Sequence, residues 1–156
     1  MNTSKQRILV VANRTAASPD LIAALRKEAG RSRASFTLLV PAVPHGLSWA
    51  ADMKAGWVEA VGHAERAAAR IRQAGLELDE VIVGDPDPFA AAGDVLHAGE
   101  FDGVVVSVLP RAVSRWLAVD LPARLRRATD LPVTQVTARA QVEPAPPPPA
   151  RETVAA

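Results

Sequence analysis

Residues 78–107 read LDEVIVGDPDPFAAAGDVLHAGEFDGVVVS, and this stretch decides the fold. It begins and ends with a β-branched apolar run, Leu78–Val83 and Gly103–Ser107, which is typical of strands buried on both faces of a parallel sheet. Between them, Asp87 is a good N-cap and Pro88 suits a first helical position, so a helix is predicted there. A strand, a helix and a second strand in this order predict a right-handed βαβ unit.

The same alternation extends in both directions along the chain. The other strands are predicted at Arg7–Asn13, Ser35–Val40 and Pro132–Thr137, the last of which is weaker and more polar. The helices are predicted at Pro19–Ala29 (capped by Ser18 and ended by Gly30), about 48–74 (ended by Gly75), Pro88 to about His97 (ending near Gly99) and Leu121–Ala128. Five strands alternating with four helices predict an α/β fold, a doubly wound parallel sheet of order 3-2-1-4-5 with helices on both faces.

The long second helix carries an apolar stripe at steps of three and four residues. The stripe consists of Trp49, Met53, Trp57, Val61, Ala64, Ala68 and Ile71. We interpret its aromatic end as core or as a seam with a partner helix. The domain is predicted to cover residues 1–140, and residues 141–156, rich in proline, are predicted to form an extended, disordered tail.

Composition restricts the classes of function. The chain of 156 residues has no cysteine, which excludes a disulfide framework, a thiol nucleophile, a zinc ribbon and an iron–sulfur cluster. Its net charge of +1 argues against nucleic acid or an anionic membrane as a partner. The apolar run Ile8–Ala12 is too short for a signal peptide or a membrane span, so a cytoplasmic protein is expected.

The candidate ligand site lies where the predicted strand order reverses, at the carboxyl ends of strands one and four. The candidate ligand-binding residues are Ala12, Asn13, Arg14, Thr15, Val40, Ser107, Pro110, Arg111, Ser114, Arg115 and Trp116. Arginine side chains suit phosphate or carboxylate groups, which favours an anionic ligand such as a nucleotide. Alternatively, the arginines lie on a solvated loop or pair with acids, and Trp116 covers the end of the sheet instead of stacking on a ligand.

No set of residues predicts catalysis or a metal site. Asp85 and Asp87 could hold magnesium or act as an acid–base pair, but two Asp-Pro pairs in five residues are better explained as turn and cap residues. His45, His63 and His97 lack metal-binding spacing. No nucleophile elbow surrounds Ser107, the serine that follows strand four. We therefore predict no catalytic residues, no metal and no required cofactor.

The order of these elements resembles the universal stress protein family, in a divergent branch. The resemblance rests on ILVVAN, FTLLV, VIVGDPDPFAAAGDVL, FDGVVVSVLP and LPVTQV, and covers about residues 8–137. Its local signals are the turn Gly84–Pro86 and the strand start at Pro132 and Val133. The resemblance implies the α/β fold described above and, together with the polar fifth strand, a homodimer that pairs through the edge of that strand.

The ATP-binding signature of that family is changed in this chain. Members that bind ATP carry an acidic residue after strand one and a G-x-x-G-x9-G-[ST] motif after strand four. Asn13 takes the acidic position, and the motif positions hold Val106, Leu109, Val119 and Asp120. Glycine lets backbone N–H groups approach phosphate closely, and an aspartate would repel it. The chain is therefore not expected to bind ATP in the manner of the family.

Two hypotheses of function follow. In the first, the chain is a non-catalytic regulatory module of the stress-protein type that acts through homodimerisation and contacts with other proteins. In the second, it holds a nucleotide or another phosphorylated metabolite where the strand order reverses. The uneven charge is compatible with a dimer, since residues 77–102 contain eight acids without Lys or Arg and residues 111–127 contain five arginines and one acid. An ordinary solvated surface explains it equally well.

Overall fold

The computed structural model describes residues 4–43, 49–110 and 121–139, with the side chains of 49–53 left aside. The strands are β1 (Gln6–Val11), β2 (Ala34–Pro41), β3 (Glu77–Gly84), β4 (Gly103–Val108) and β5 (Val133–Thr137). The helices are α1 (Pro19–Arg31), α2 (Trp49–Gln73), α3 (Pro88–Ala98) and α4 (Leu121–Ala128). All strand pairs are parallel and the order is β3-β2-β1-β4-β5, which confirms the predicted topology. The predicted tail from residue 141 lies outside the described residues.

Helices cover both faces of the sheet, as predicted. On one face, Leu21 and Leu25 of α1 and the alanine stripe of α2 pack against β1 and β2. On the other face, Ala91 of α3 and Leu125 of α4 pack against β1 and β4. Strands β2 and β4 are buried along their whole length between the two layers, and β1 is buried from Ile8 to Val11.

The predicted helix caps are confirmed. The Ser18 hydroxyl accepts a hydrogen bond from the N–H of Leu21 at 3.2 Å, and the Asp87 carboxylate accepts one from the N–H of Phe89 at 3.0 Å. Asp85 accepts from the N–H of Asp87 at 2.8 Å. Both aspartates therefore serve the turn and the cap, and the described residues contain no group of three or more potential metal ligands.

One local prediction was wrong: Gly30 does not end α1, because the helix continues to Arg31 and its cap is Ser32, whose backbone is extended. Of the two places predicted for Trp57, the core is excluded because 50% of its surface is exposed, and the seam with a partner helix stays a prediction. The 25 residues of α2 span roughly 37 Å at 1.5 Å per residue, whereas the eight of β2 span only about 26 Å. A helix longer than its strand extends beyond it, and among the described side chains of the stripe Ala64, Ala68 and Ile71 are buried, further along the helix than Trp57.

The fifth strand lies at an edge of the sheet and is half exposed, which fits its polar sequence. Its end is tied to the neighbouring helix, because the N–H of Arg139 donates to the Asp20 carboxylate in the first turn of α1 at 3.0 Å. In the described part of the chain, no helix is both long enough and apolar enough to cross a membrane.

Candidate functional site

The strand order reverses between β1 and β4, so their carboxyl ends define the candidate site. Val11 pairs with Val106, and this register brings Ala12 and Ser107 to the same height in the sheet. The segment after β1 then makes two turns, in which Asn13 and Thr15 offer their carbonyl oxygens to Ala16 and Ser18 at 3.0 Å each. The predicted residues Arg111, Ser114, Arg115 and Trp116 lie outside the described residues.

A pair of buried hydroxyl groups joins the two strands at this point. The Ser107 hydroxyl donates to the Thr15 hydroxyl at 2.7 Å, across 92 positions in sequence. Ser107 is 8% exposed and Thr15 is 3% exposed, so both groups are withdrawn from bulk water. A hydroxyl that is buried without a partner is costly, and each of these supplies a partner for the other. The pair therefore fixes the turn after β1 against the end of β4.

Asn13 points toward β2 rather than β4. Its side-chain amide donates to the carbonyl oxygen of Pro41, the last residue of β2. Val40, another predicted site residue, has a fully buried side chain, and Ala12 is also buried. Pro110 and Asn13 are partly exposed and Arg14 is exposed. The structure thus brings the sequence-predicted residues of β1, β2 and β4 to one edge, but only some of their side chains are accessible there.

The contact of Asn13 predicts how the chain would respond to an acidic residue at this position. We expect Asn13→Asp to lower the free energy of unfolding by about 1 kcal/mol, because a carboxylate cannot donate to the Pro41 carbonyl and is repelled by it. Urea denaturation followed by circular dichroism measures the change, with Asn13→Ala as the control that removes the bond without adding charge. An Asp variant as stable as the wild type would contradict the assigned contact.

Helix α2 carries a set of polar side chains that the sequence reasoning missed, and one of them contacts the loop that contains Arg14. Arg66 donates from Nη2 to Nδ1 of His63 at 3.1 Å, since a guanidinium can only donate. His63 Nε2 lies 3.4 Å from a carboxylate oxygen of Glu59 and therefore carries the ring proton. Arg70 donates from Nη1 to the carbonyl oxygen of Ala17, in the loop after β1, at 3.2 Å.

The charged neighbours of His63 are two arginines and one glutamate, so positive charge predominates around its ring. Burial lowers the pKa of the His63 imidazole, and the neighbouring charges of Arg66 and Arg14 lower it further, whereas the hydrogen bond and charge of Glu59 act in the opposite direction. The neutral imidazole is thus the favoured form, and it is the form that accepts from Arg66. The hydrogen bond of Arg70 to Ala17 places helix α2 against the loop that carries Arg14, which agrees with the effect of Arg14 on this pKa.

A signal for this group is present in the sequence, although it does not identify the partner. His63, Arg66 and Arg70 are three and four residues apart, a spacing that places them on one face of a helix. The spacing cannot tell which loop that face meets. The hydrogen bond of Arg70 to Ala17 supplies the missing information, because it docks α2 on the loop that carries Arg14 and Thr15.

Comparisons with known proteins were made by sequence and by structure. No protein-family model matches the chain. No curated protein matches it at a significant level. Among solved structures, it is similar to a protein of the universal stress protein family from Burkholderia pseudomallei, at 20% identity and a TM-score of 0.58 over 85% of this chain and 96% of that one.

Two further similar structures contain nucleotides. The universal stress protein from Archaeoglobus fulgidus, in complex with dAMP, is 18% identical with a TM-score of 0.55, covering 86% of this chain and 99% of that one. A universal stress protein family protein from Arabidopsis thaliana, with AMP bound, is 17% identical with a TM-score of 0.53, covering 93% and 98%.

The parallel sheet and its strand order define a doubly wound α/β protein. More particularly, the chain has the fold of the universal stress proteins, which confirms the resemblance seen in the sequence at the level of the fold. Val106, which the sequence comparison predicts at the first glycine position of the ATP motif, lies within β4 and is 1% exposed.

Proposed function

We propose that this chain is a non-catalytic regulatory module of the universal stress protein type, which holds a nucleotide or another phosphorylated metabolite at the carboxyl ends of β1 and β4. The observation that carries the proposal is the hydroxyl pair of Thr15 and Ser107 at the reversal of strand order. It lies at the position where ligands bind in open parallel sheets, and it fixes the loop after β1 that would face a ligand there.

The chemistry of the described site residues supports binding rather than catalysis. The described candidates other than Arg14 are Ala12, Asn13, Thr15, Val40, Ser107 and Pro110, and none of their side chains titrates near neutral pH. A serine nucleophile needs an adjacent base, whereas the Ser107 hydroxyl donates to another hydroxyl. These six uncharged residues, called the nucleotide floor below, suit a neutral group such as a nucleobase. The similar structures with AMP and dAMP support the same ligand class for this chain.

The proposal differs from ATP binding by the family motif in how phosphate would be held. Valine and leucine occupy the first two motif positions, Val106 and Leu109, and the side chain of Val106 is buried in the sheet. Backbone cradling of phosphate by a glycine-rich loop is therefore replaced in this proposal by side-chain contacts. The proposal also includes a homodimer that pairs through the exposed edge of β5, as the polar sequence of that strand suggests.

Native mass spectrometry of the purified protein tests the oligomer and the ligand together. We expect twice the mass of one 16.4-kDa chain, with a retained small molecule whose mass matches a nucleotide or a phosphorylated metabolite. A mass of one chain at micromolar concentration would contradict the dimer. A ligand-free protein that also fails to bind added AMP, ADP, ATP or adenosine would contradict the ligand.

Amide chemical shifts locate the ligand once it binds. In a titration with AMP followed by ¹H–¹⁵N correlation spectra, we expect the largest changes at the ends of β1 and β4, at Asn13, Thr15 and Ser107. The amide of Gly75, which follows the far end of α2, serves as the internal reference for unspecific effects. Changes confined to another part of the fold would overturn the assigned site.

A further inference from the structure

We propose that Arg14, Arg66 and Arg70 form a binding site for a phosphoryl group, beside the loop that follows β1. This site uses two arginines from α2 that take no part in the proposed nucleotide floor, and it does not depend on nucleotide binding. Guanidinium groups match the planar arrangement of phosphate oxygens, which makes a phosphoryl dianion the expected ligand class.

Arg66 and Arg70 lie on helix α2, which contacts the loop that contains Arg14. Arg66 and Arg70 are four residues apart on α2 and so lie on one face of the helix. Arg70 reaches the Ala17 carbonyl, and Arg14 belongs to the same loop, three residues earlier. His63, which contacts Arg66 directly, also feels the charge of Arg14. The loop after β1 and helix α2, which are far apart in sequence, are therefore in contact, and between them they carry these three positive charges.

Within the described residues, no carboxylate forms an ion pair with the guanidinium groups of Arg14, Arg66 or Arg70. Among residues 4–43, 49–110 and 121–139, the ion pairs involve other bases, and none joins a carboxylate to any of the three guanidiniums. The nearest acid in the group is Glu59, which contacts His63 on the ring nitrogen opposite to Arg66. Like charges held together without an anion repel each other, so a bound dianion would stabilise the arrangement.

The side chains of Arg66 and Arg70 are already oriented before a ligand binds. Each of the two α2 arginines uses one N–H in a fixed contact, Arg66 to His63 and Arg70 to Ala17. A guanidinium has five N–H groups, so several remain for a ligand while the side chain is already oriented. Binding to side chains that are held in place loses less conformational entropy than binding to free ones. All three arginines are exposed, so a ligand can reach them.

The experiment titrates the wild-type protein with inorganic phosphate and follows the His63 ring resonances by NMR across pH. We expect saturable binding that raises the pKa of His63, because a dianion offsets the charges of Arg66 and Arg14 that lower it. The double variant Arg66→Gln, Arg70→Gln is expected to bind phosphate about tenfold more weakly or worse. The matched control is Arg72→Gln, an exposed arginine on another face of α2, which is expected to bind like the wild type.

Two results would overturn the site: equal phosphate affinity in the double variant and the wild type, or a His63 pKa that saturating phosphate does not move. Circular dichroism of the double variant verifies that its fold is intact. Parallel titrations with AMP and adenosine identify the source of the phosphoryl group. Competition between AMP and phosphate assigns it to the nucleotide, and independent binding assigns it to a separate phosphorylated ligand. If no nucleotide binds, the proposed function fails while the phosphate titration still decides this site.

Discussion

Replacing Phe36 by alanine is expected to lower the free energy of unfolding by about 3–5 kcal/mol. Phe36 is fully buried in β2, whose eight residues are all buried, and it is among the largest side chains in the core. It pairs with Ile8 of β1 and Leu78 of β3, beside the irregularity at which β3 shifts register. Truncation therefore leaves a cavity between two layers that cannot easily collapse, because strands lie on both sides.

Denaturant unfolding followed by circular dichroism measures this loss. A domain of this size has a total stability of about 5–15 kcal/mol, so the variant is expected to unfold at a clearly lower denaturant concentration. Val58→Ala is the control, because Val58 is 63% exposed and its truncation is expected to change stability by less than about 0.5 kcal/mol. Similar losses in the two variants would show that the assigned core is wrong.

Most of the fold was predictable from the sequence. Strands buried on both faces read as continuous apolar runs, and the predicted strands match β1 to β4 within two residues at each end. The strand order followed from the alternation of strands with helices and from the handedness of the crossovers. Gly30 was assigned wrongly as the end of α1 because glycine is a local signal. Where a helix ends, and which of its residues the sheet covers, depend on contacts between elements.

The candidate site was predictable only in part, for a similar reason. Carboxyl ends of parallel strands share one edge, so the sequence could place Thr15 and Ser107 together, and their hydroxyls do meet. Nothing in the sequence shows that Asn13 turns to the Pro41 carbonyl, since that choice depends on the rotamer and on the neighbouring strand. The role of Arg66 and Arg70 in the proposed phosphoryl site was also not predictable, because it depends on how α2 docks against the loop after β1.

Variants of the hydroxyl pair of Thr15 and Ser107 are expected to change the stability strongly, and they distinguish a structural role of the pair from a role in ligand binding. We expect Thr15→Val to lower the free energy of unfolding by about 1–3 kcal/mol, because the buried Ser107 hydroxyl then loses its acceptor. Ser107→Ala is expected to cost a similar amount, since it leaves the buried Thr15 hydroxyl without its partner. The double variant replaces both partners by apolar groups of similar shape and is expected to lie close to the wild type.

A double-mutant cycle measured by urea denaturation quantifies the coupling between the two positions. Additive losses would mean that the hydroxyls are satisfied independently, contrary to the 2.7 Å contact. The double variant then serves as a stable protein without these hydroxyls. If it binds AMP as tightly as the wild type, the pair only holds the loop after β1 in place. Weaker binding at undiminished stability would show that a hydroxyl contacts the ligand, because the scaffold would be intact while the polar atoms of the floor would be gone.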